Sequence, residues 1–451
     1  MSEPQTGSQP VHSPAFKKRR FQNWFPLGLT YAAFYMGRYN LNVASTEIMS
    51  RFDLTKAQFG IIATAGFWTY AISVIVNGPL TDRIGGRRAI LTAALGTAAI
   101  NGLVGFLFMN GWTTKVLVGM SLLYGVNQYF QSFGAVSVVK TNAPWFHVKE
   151  RGVFGGIFGM MISSGYFLAM TVGGWILAYL PWYAVFLVPS AIIATMYLVD
   201  KALIVNSPQE AGFSNFNTGD ATSHLADKDK PVDFAYLAKH VFSNKVILVL
   251  IAAEFCTGFV RQGLLLWFVP FLKEVHHIHH GTALFSFATI GITVGGILGG
   301  LLCGFLSDKV FQSRRPPVAF IFYIGQIISL LILAWVSTPI AASFMIGMTC
   351  LWIFGVHGML SGTASMDFGG TKAAATVTGL LDGVQYVAAG LTGFLLGGFL
   401  DKFGWGVWTF MIVPFSLIGS LLMLTLWNST PSNTKISLRS PVPAKREPAL
   451  V

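Results

Sequence analysis

The chain is poor in charge. Asp, Glu, Lys and Arg make up 11% of its 451 residues, against about 25% in globular domains that fold in water. That scarcity excludes a soluble enzyme or binding module. Acidic residues are scarcer than basic ones, 18 against 30, for a net charge of +12. Such an excess can mark a nucleic-acid binder, but here the basic residues lie in short connectors between apolar runs, where they report membrane topology. There are three cysteines, Cys256, Cys303 and Cys350, all within apolar segments. A disulfide framework is therefore excluded, and their spacing is not that of metal ligands. What the chain does have is apolar length. Hydrophobic residues reach 53% with mean hydropathy +0.60, in runs near the roughly 20 residues a spanning helix needs.

These runs predict an all-α polytopic membrane protein with twelve spans, near 24–46, 57–80, 88–109, 114–141, 151–179, 182–200, 245–271, 282–306, 317–336, 340–363, 373–399 and 405–427. A polar N-terminal tail (1–23) without a cleavable signal pattern precedes a first six-helix bundle (24–200). A polar linker (201–243) leads to a second bundle (244–428), and a basic tail (429–451) follows. Alternation of twelve helices places the clusters Lys17–Arg20, Arg83–Arg88, Lys149–Arg151, Lys309–Arg315 and Lys445-Arg446 on one side. By the positive-inside rule that side is cytoplasmic, with both termini on it.

An internal repeat relates the halves. Arg38 and Arg261 are 261 − 38 = 223 residues apart, as are Trp182 and Trp405, and Asp82 and Asp308 are 308 − 82 = 226 apart. The repeat makes Arg38 the organising residue of the stretch Leu29–Ala44. A guanidinium at membrane depth costs a few kcal/mol or more unless it faces water or a partner. Tyr31, Tyr35 and Arg38, at i, i+4 and i+7, share one helix face. A lone arginine is open to explanation as a helix-end side chain snorkelling to the surface. Two in equivalent places favour a functional anion site, because a planar guanidinium fork suits a tetrahedral oxyanion.

Between spans two and three runs Gly78-x-Leu80-x-Asp82-Arg83-x-Gly85-Gly86-Arg87-Arg88, with a weaker copy at Gly304–Arg315 that includes Asp308. Its glycines suit a tight turn and close helix contact, and its aspartate suits a helix cap or a neighbouring arginine. The pattern resembles the signature loop of the major facilitator superfamily. Within it, the stretches 31–44 (YAAFYMGRYNLNVA), 148–152 (VKERG), 244–275, 301–311 and 371–381 are similar to the organophosphate:phosphate antiporters, the family of bacterial glycerol-3-phosphate and hexose-phosphate transporters. The resemblance implies that two pseudo-symmetric bundles exchange a phosphorylated metabolite for inorganic phosphate across an inner (plasma) membrane. It implies a functional monomer with no cofactor and no nucleic-acid partner. Arg38 and Arg261 would bind phosphate, with Tyr31 and Tyr35 lining the site.

Four departures bear on substrate. Tyr39 stands where the family commonly has a lysine, and Leu266 where it has an acid, as if an ion pair had been removed together. Val74 and Ile162 replace a lysine and a histidine of the glycerol-phosphate carriers. The remaining intramembrane charges, Glu254, Lys140 and Asp382, are candidates for counter-ion or gating roles, Lys140 alternatively belonging to the basic rim. The run His276-His277-Ile278-His279-His280 lacks the acid or cysteine that would complete a metal set. Gly295-Gly296 and Gly299-Gly300 suit close helix packing. Competing functions are an anion:cation symporter for sugar acids, which gives no reason for Arg261, and a membrane sensor of sugar phosphates that signals to a kinase.

Overall fold

The computed structural model describes residues 12–147, 150, 160, 161, 163–214, 244–312 and 314–429, with backbone alone over 362–378. Ile162, most of VKERG, the linker over 215–243, most of the N-terminal tail and the C-terminal residues from 430 lie outside the described residues. Every regular element among the described residues is helical. The first half contains α1 (Pro14–Val43), α2 (Ser45–Arg51), α3 (Lys56–Ile84), α4 (Gly86–Met109), α5 (Val116–Gln131), α6 (Phe133–Asn142), α7 (Gly173–Tyr179) and α8 (Ala184–Leu203). The second contains α9 (Lys245–His276), α10 (Ala283–Phe305), α11 (Arg315–Trp335), α12 (Pro339–His357), α13 (Ser365–Phe403) and α14 (Trp408–Thr425).

Nine of these helices, some lengthened by a π turn, are long and apolar enough to cross a membrane. The other three spans depart for local reasons. α1 carries Tyr31, Tyr35, Arg38, Tyr39, Asn40 and Asn42, all of them buried. The fourth span is broken at Ser132 into α5 and α6, and the fifth passes through a π turn, Phe167–Val172, before α7. α1 begins at Pro14, inside the stretch expected as a polar tail. Ser13 caps it with proline at the first position, and Arg20 pairs with Glu150 at 3.0 Å, so the basic run Lys17–Arg20 is the first turns of a helix.

Helix ends in the second half follow ordinary capping chemistry, with Asn244 accepting from Val246 N and Thr282 from Phe285 N. The start of α3 is different. Thr55 and Gln58 form a capping box there, and the Asp401 carboxylate of the other half accepts from Lys56 N (3.0 Å) and Ala57 N (2.8 Å). An anion at a helix N-terminus satisfies orphan donors and complements the dipole. Lys56 itself pairs with Glu274 at 2.9 Å, and Lys273 with Glu47 at 3.5 Å.

α3 and α13 cross backbone to backbone. A Cβ on Gly60 would strike the Gly393 carbonyl, and one on Gly393 the Gly60 carbonyl. Thr64 Oγ1 donates to Gly390 O (2.6 Å) and Trp68 Nε1 to Val387 O (3.1 Å). Among the described residues, every hydrogen bond and ion pair between halves lies at the depth of Arg38 or beyond it, toward the face opposite the signature loop. The halves are thus latched on that face. Partly exposed ion pairs are each worth about 0–1 kcal/mol, so the latch is a set of weak bonds that can be broken together.

Gly295 and Gly299 pack closely on α12, as expected, whereas a Cβ on Gly300 would meet nothing within 4 Å.

Candidate functional site

α1 and α9 meet across the pseudo-twofold axis at equivalent positions. Gln262 Nε2 donates to Tyr39 Oη (3.4 Å) and Asn42 Nδ2 to Leu265 O (3.1 Å). Both pairs are separated by the repeat offset, since 262 − 39 = 223 and 265 − 42 = 223. Tyr39 also shares a hydrogen bond with Tyr166 Oη (3.2 Å), and Leu266 is fully buried. At these positions the chain seals the seam with an amide, phenols and packing.

One turn from that contact the two arginines are buried, Arg38 2% and Arg261 4% exposed. Arg38 is held from its own half by the backbone. Tyr124 Oη donates to Arg38 O, and Asn127 and Asn101 both donate to Gly37 O. Gly37 is needed there, since a Cβ would come within 2.9 Å of Asn101 Nδ2. The guanidinium donates to Gln131 Oε1 (3.2 Å) and to Tyr386 Oη (3.3 Å). It lies over the rings of Tyr35 (5.3 Å) and Tyr70 (4.9 Å). Arg261 donates to Gln385 Oε1 (2.7 Å), approaches His357 Nε2 (3.5 Å) and lies over the Tyr386 ring (5.6 Å). Tyr386 therefore touches both arginines, one through its hydroxyl and the other through its face.

Neither arginine forms an ion pair among the described residues. Neutral acceptors and aromatic faces replace a carboxylate, and each cation–π contact contributes roughly 0.5–2 kcal/mol. The Nε atoms of both arginines are buried without a hydrogen-bond partner among the described residues. Two buried cations without an ion-pair partner among the described residues suit a site for an anion.

The expected residues divide accordingly. Arg38, Arg261 and Tyr35 come together. Tyr31 is buried one turn away, its ring 5.8 Å from that of Tyr35 and its hydroxyl within hydrogen-bonding reach of the Arg38 guanidinium. Glu254 is fully buried but is no direct counter-ion. Its Oε2 accepts from Gln385 Nε2 (3.0 Å), and it is Gln385 that contacts Arg261. Asp382 lies within electrostatic reach of both arginines without an ion pair to either. Lys140 does not reach the site. It pairs at 2.7 Å with Asp82 on the signature loop, both side chains exposed, which fits the basic-rim alternative.

Within the signature loop, Asp82 sits in the last turn of α3 and so caps no N-terminus, and its partner is a lysine from α6 instead of a neighbouring arginine. Arg83 is exposed, and Arg87 donates to Lys201 O while its backbone N–H is held by Asn206. Gly85, at φ +87°, makes the turn. Gly78 faces open space, so close contact is not its purpose. In the second copy Asp308 pairs with Arg315 at 2.8 Å. The histidine run is divided. His276 packs on Phe271 and His280 on Phe285, and burial pushes the His280 ring down to about 4. No metal-holding group of three occurs among the described residues.

Tyr70, Gln131, His357, Gln385 and Tyr386 were not anticipated from sequence. The repeat carried a usable signal for two of them, since 357 − 131 = 226, the offset of the signature aspartates. Gln131 and His357 are equivalent residues of the fourth span in each half, and each contacts its own half's arginine.

The chain is similar to named transport and sensor proteins along most of its length. It is 26% identical to a probable hexose phosphate transport protein of Chlamydia pneumoniae, over 95% of both chains. It is 26% identical to the glycerol-3-phosphate transporter of Bacillus subtilis, over 92% of this chain and 94% of that one. Identity is again 26% with the membrane sensor protein UhpC of Escherichia coli, over 91% and 94%. A bacterial homologue of the human lysosomal transporter Spinster, in an inward-facing and unoccupied conformation, superposes with a TM-score of 0.72 at 17% identity, over 94% of this chain and 98% of that one. The Major Facilitator Superfamily profile matches residues 27–392. With its helices in two repeated halves, the chain belongs to the Major Facilitator Superfamily.

Proposed function

We propose that the protein is a secondary transporter that exchanges a phosphorylated small metabolite, of the glycerol phosphate, hexose phosphate or phosphoglycerate type, for inorganic phosphate. The observation that carries this reading is the pair of buried arginines without an ion pair among the described residues, one from each half, meeting on Tyr386. Two like charges at a seam resist its closing, and an oxyanion between them removes that resistance. Binding then lowers the barrier to rocking the halves, and an empty carrier rocks poorly. That is the physical content of obligatory exchange. Relatives named as hexose phosphate and glycerol-3-phosphate transporters support the substrate class.

The test is uptake of labelled phosphate into proteoliposomes preloaded with phosphate, phosphate esters or sugar acids. Exchange reads as entry at least about tenfold faster into vesicles loaded with phosphate or an ester than into empty ones. Equal rates would favour symport, and binding without turnover would favour a sensor, the role named in the UhpC relative. The carrier works as a monomer in this reading, in a bacterial-type inner membrane with both termini cytoplasmic. A cysteine placed at Pro10 or Ser440 will label from the cytoplasmic face alone. Labelling from outside would reverse the orientation.

A further inference from the structure

The hydrogen bonds around Gln385 determine which atoms of the site still lack an acceptor. Gln385 Oε1 accepts from Arg261 Nη2 at 2.7 Å, and its Nε2 lies 3.0 Å from Glu254 Oε2 and 2.8 Å from His357 Nδ1. An amide nitrogen has two protons to donate, so one orientation of this side chain satisfies all three contacts. Turning the amide over would face nitrogen to the guanidinium and oxygen to the carboxylate. With Gln385 so held, His357 Nδ1 is an acceptor, and the neutral ring carries its proton on Nε2. Ser361 Oγ, 3.5 Å from Nδ1, already donates to His357 O at 2.7 Å and competes weakly.

His357 Nε2–H therefore points at Arg261 Nη1, another donor, at 3.5 Å. Two donors converge with no acceptor between them among the described residues. The equivalent contact in the first half is complementary, because there Arg38 Nη2 meets the acceptor oxygen of Gln131. The repeat has placed an acceptor beside one arginine and a donor beside the other. The charged and titratable groups around Arg261 and the ring, among the described residues, include Glu254 on α9, Asp382 and Tyr386 on α13, Arg38 and Tyr39 on α1, and Tyr166.

We propose that His357 is a substrate-binding residue whose Nε2–H, together with Arg261 Nη1, grips one oxygen of the phosphate group, and that Glu254 acts through Gln385 as the positioning residue that holds this tautomer. The assignment rests on the phosphate reading above and deepens it. The phosphate is bound asymmetrically, with two donors from the second half at one oxygen. A neutral donor keeps working above the pH at which a free imidazolium would discharge. His357 thereby fills the role left vacant by the hydrophobic residues at 74 and 162.

Inorganic phosphate binding to purified, full-length protein tests this. His357→Gln is the decisive variant, because glutamine is what the fold already accommodates at the equivalent position 131. Its amide oxygen will satisfy Arg261 as Gln131 satisfies Arg38, so the protein will keep its thermal stability and lose roughly tenfold or more in phosphate affinity. Glu254→Gln releases the Gln385 amide to rotate and will cost several-fold. In combination the two changes will cost no more than His357→Gln alone, a non-additivity that a purely structural role for Glu254 would not produce. In the wild-type protein, phosphate will slow carbethoxylation of His357 by diethyl pyrocarbonate while leaving exposed His277 unaffected. Undiminished phosphate affinity in His357→Gln, additive losses, or no protection of His357 would overturn the assignment and leave the transport reading intact. A wild-type protein that binds no phosphate would overturn both.

Discussion

Lysine in place of Arg38 or Arg261 will weaken phosphate binding by about 2–4 kcal/mol, on the order of 30- to 700-fold, in a protein that still folds in the membrane. Lysine keeps the charge but gives up the planar fork. Arg38 now spends one terminal nitrogen on Gln131 and another on Tyr386, and Arg261 spends Nη2 on Gln385 while its Nη1 faces His357. An ammonium cannot hold two fixed partners and still present a flat pair of donors to an oxyanion. It also loses the stacking of the guanidinium over Tyr35, Tyr70 and Tyr386. Equilibrium binding of labelled phosphate measures the effect, and wild-type affinity in either variant would refute the two-arginine site. Lys140→Ala is the control. Its charge is spent on Asp82 at an exposed rim, so phosphate affinity will stay within about twofold, as for surface ion pairs generally.

The second large effect concerns rocking instead of binding. Leucine at Gly60 will leave phosphate binding near wild type and reduce exchange by at least about tenfold. In the latched state Gly60 lies against the backbone of Gly393, where even a methyl group has no room. Overpacking of that kind costs about 1–3 kcal/mol or more. It burdens this conformation alone, because the contact exists only while α3 and α13 are closed on each other. The Asp401 cap on α3 and the Lys56–Glu274 pair lie along the same seam and will loosen with it. Gly60→Ala will show the same sign with a smaller loss. Exchange at the wild-type rate in Gly60→Leu would mean that this crossing need not close during transport. Loss of binding and exchange together would mean that the wedge has propagated to the arginines.

The helical, membrane-spanning character of the chain and its duplication were legible without coordinates, because both are one-dimensional signals. Apolar length reports a solvent preference residue by residue, and a repeat offset survives in the numbering. Arg38 and Arg261 were legible for the same reason, since a cation inside an apolar run is anomalous wherever the fold puts it. Tyr70, Gln131, Gln385 and Tyr386 are not anomalous in a span, and nothing local separates a glutamine that orients an arginine from one that binds a neighbouring backbone. Their selection depended on which helix face turned toward the seam. The roles of Glu254 and Lys140 needed the same information. Both are charges near an arginine-bearing half, yet one is bound to the site through Gln385 and the other is spent on the rim. Sequence alone determined the twelve spans, the repeat and the two buried cations. Tertiary structure decided what stands between those cations, because a hydrogen bond has direction, and direction is fixed when helices from both halves have packed.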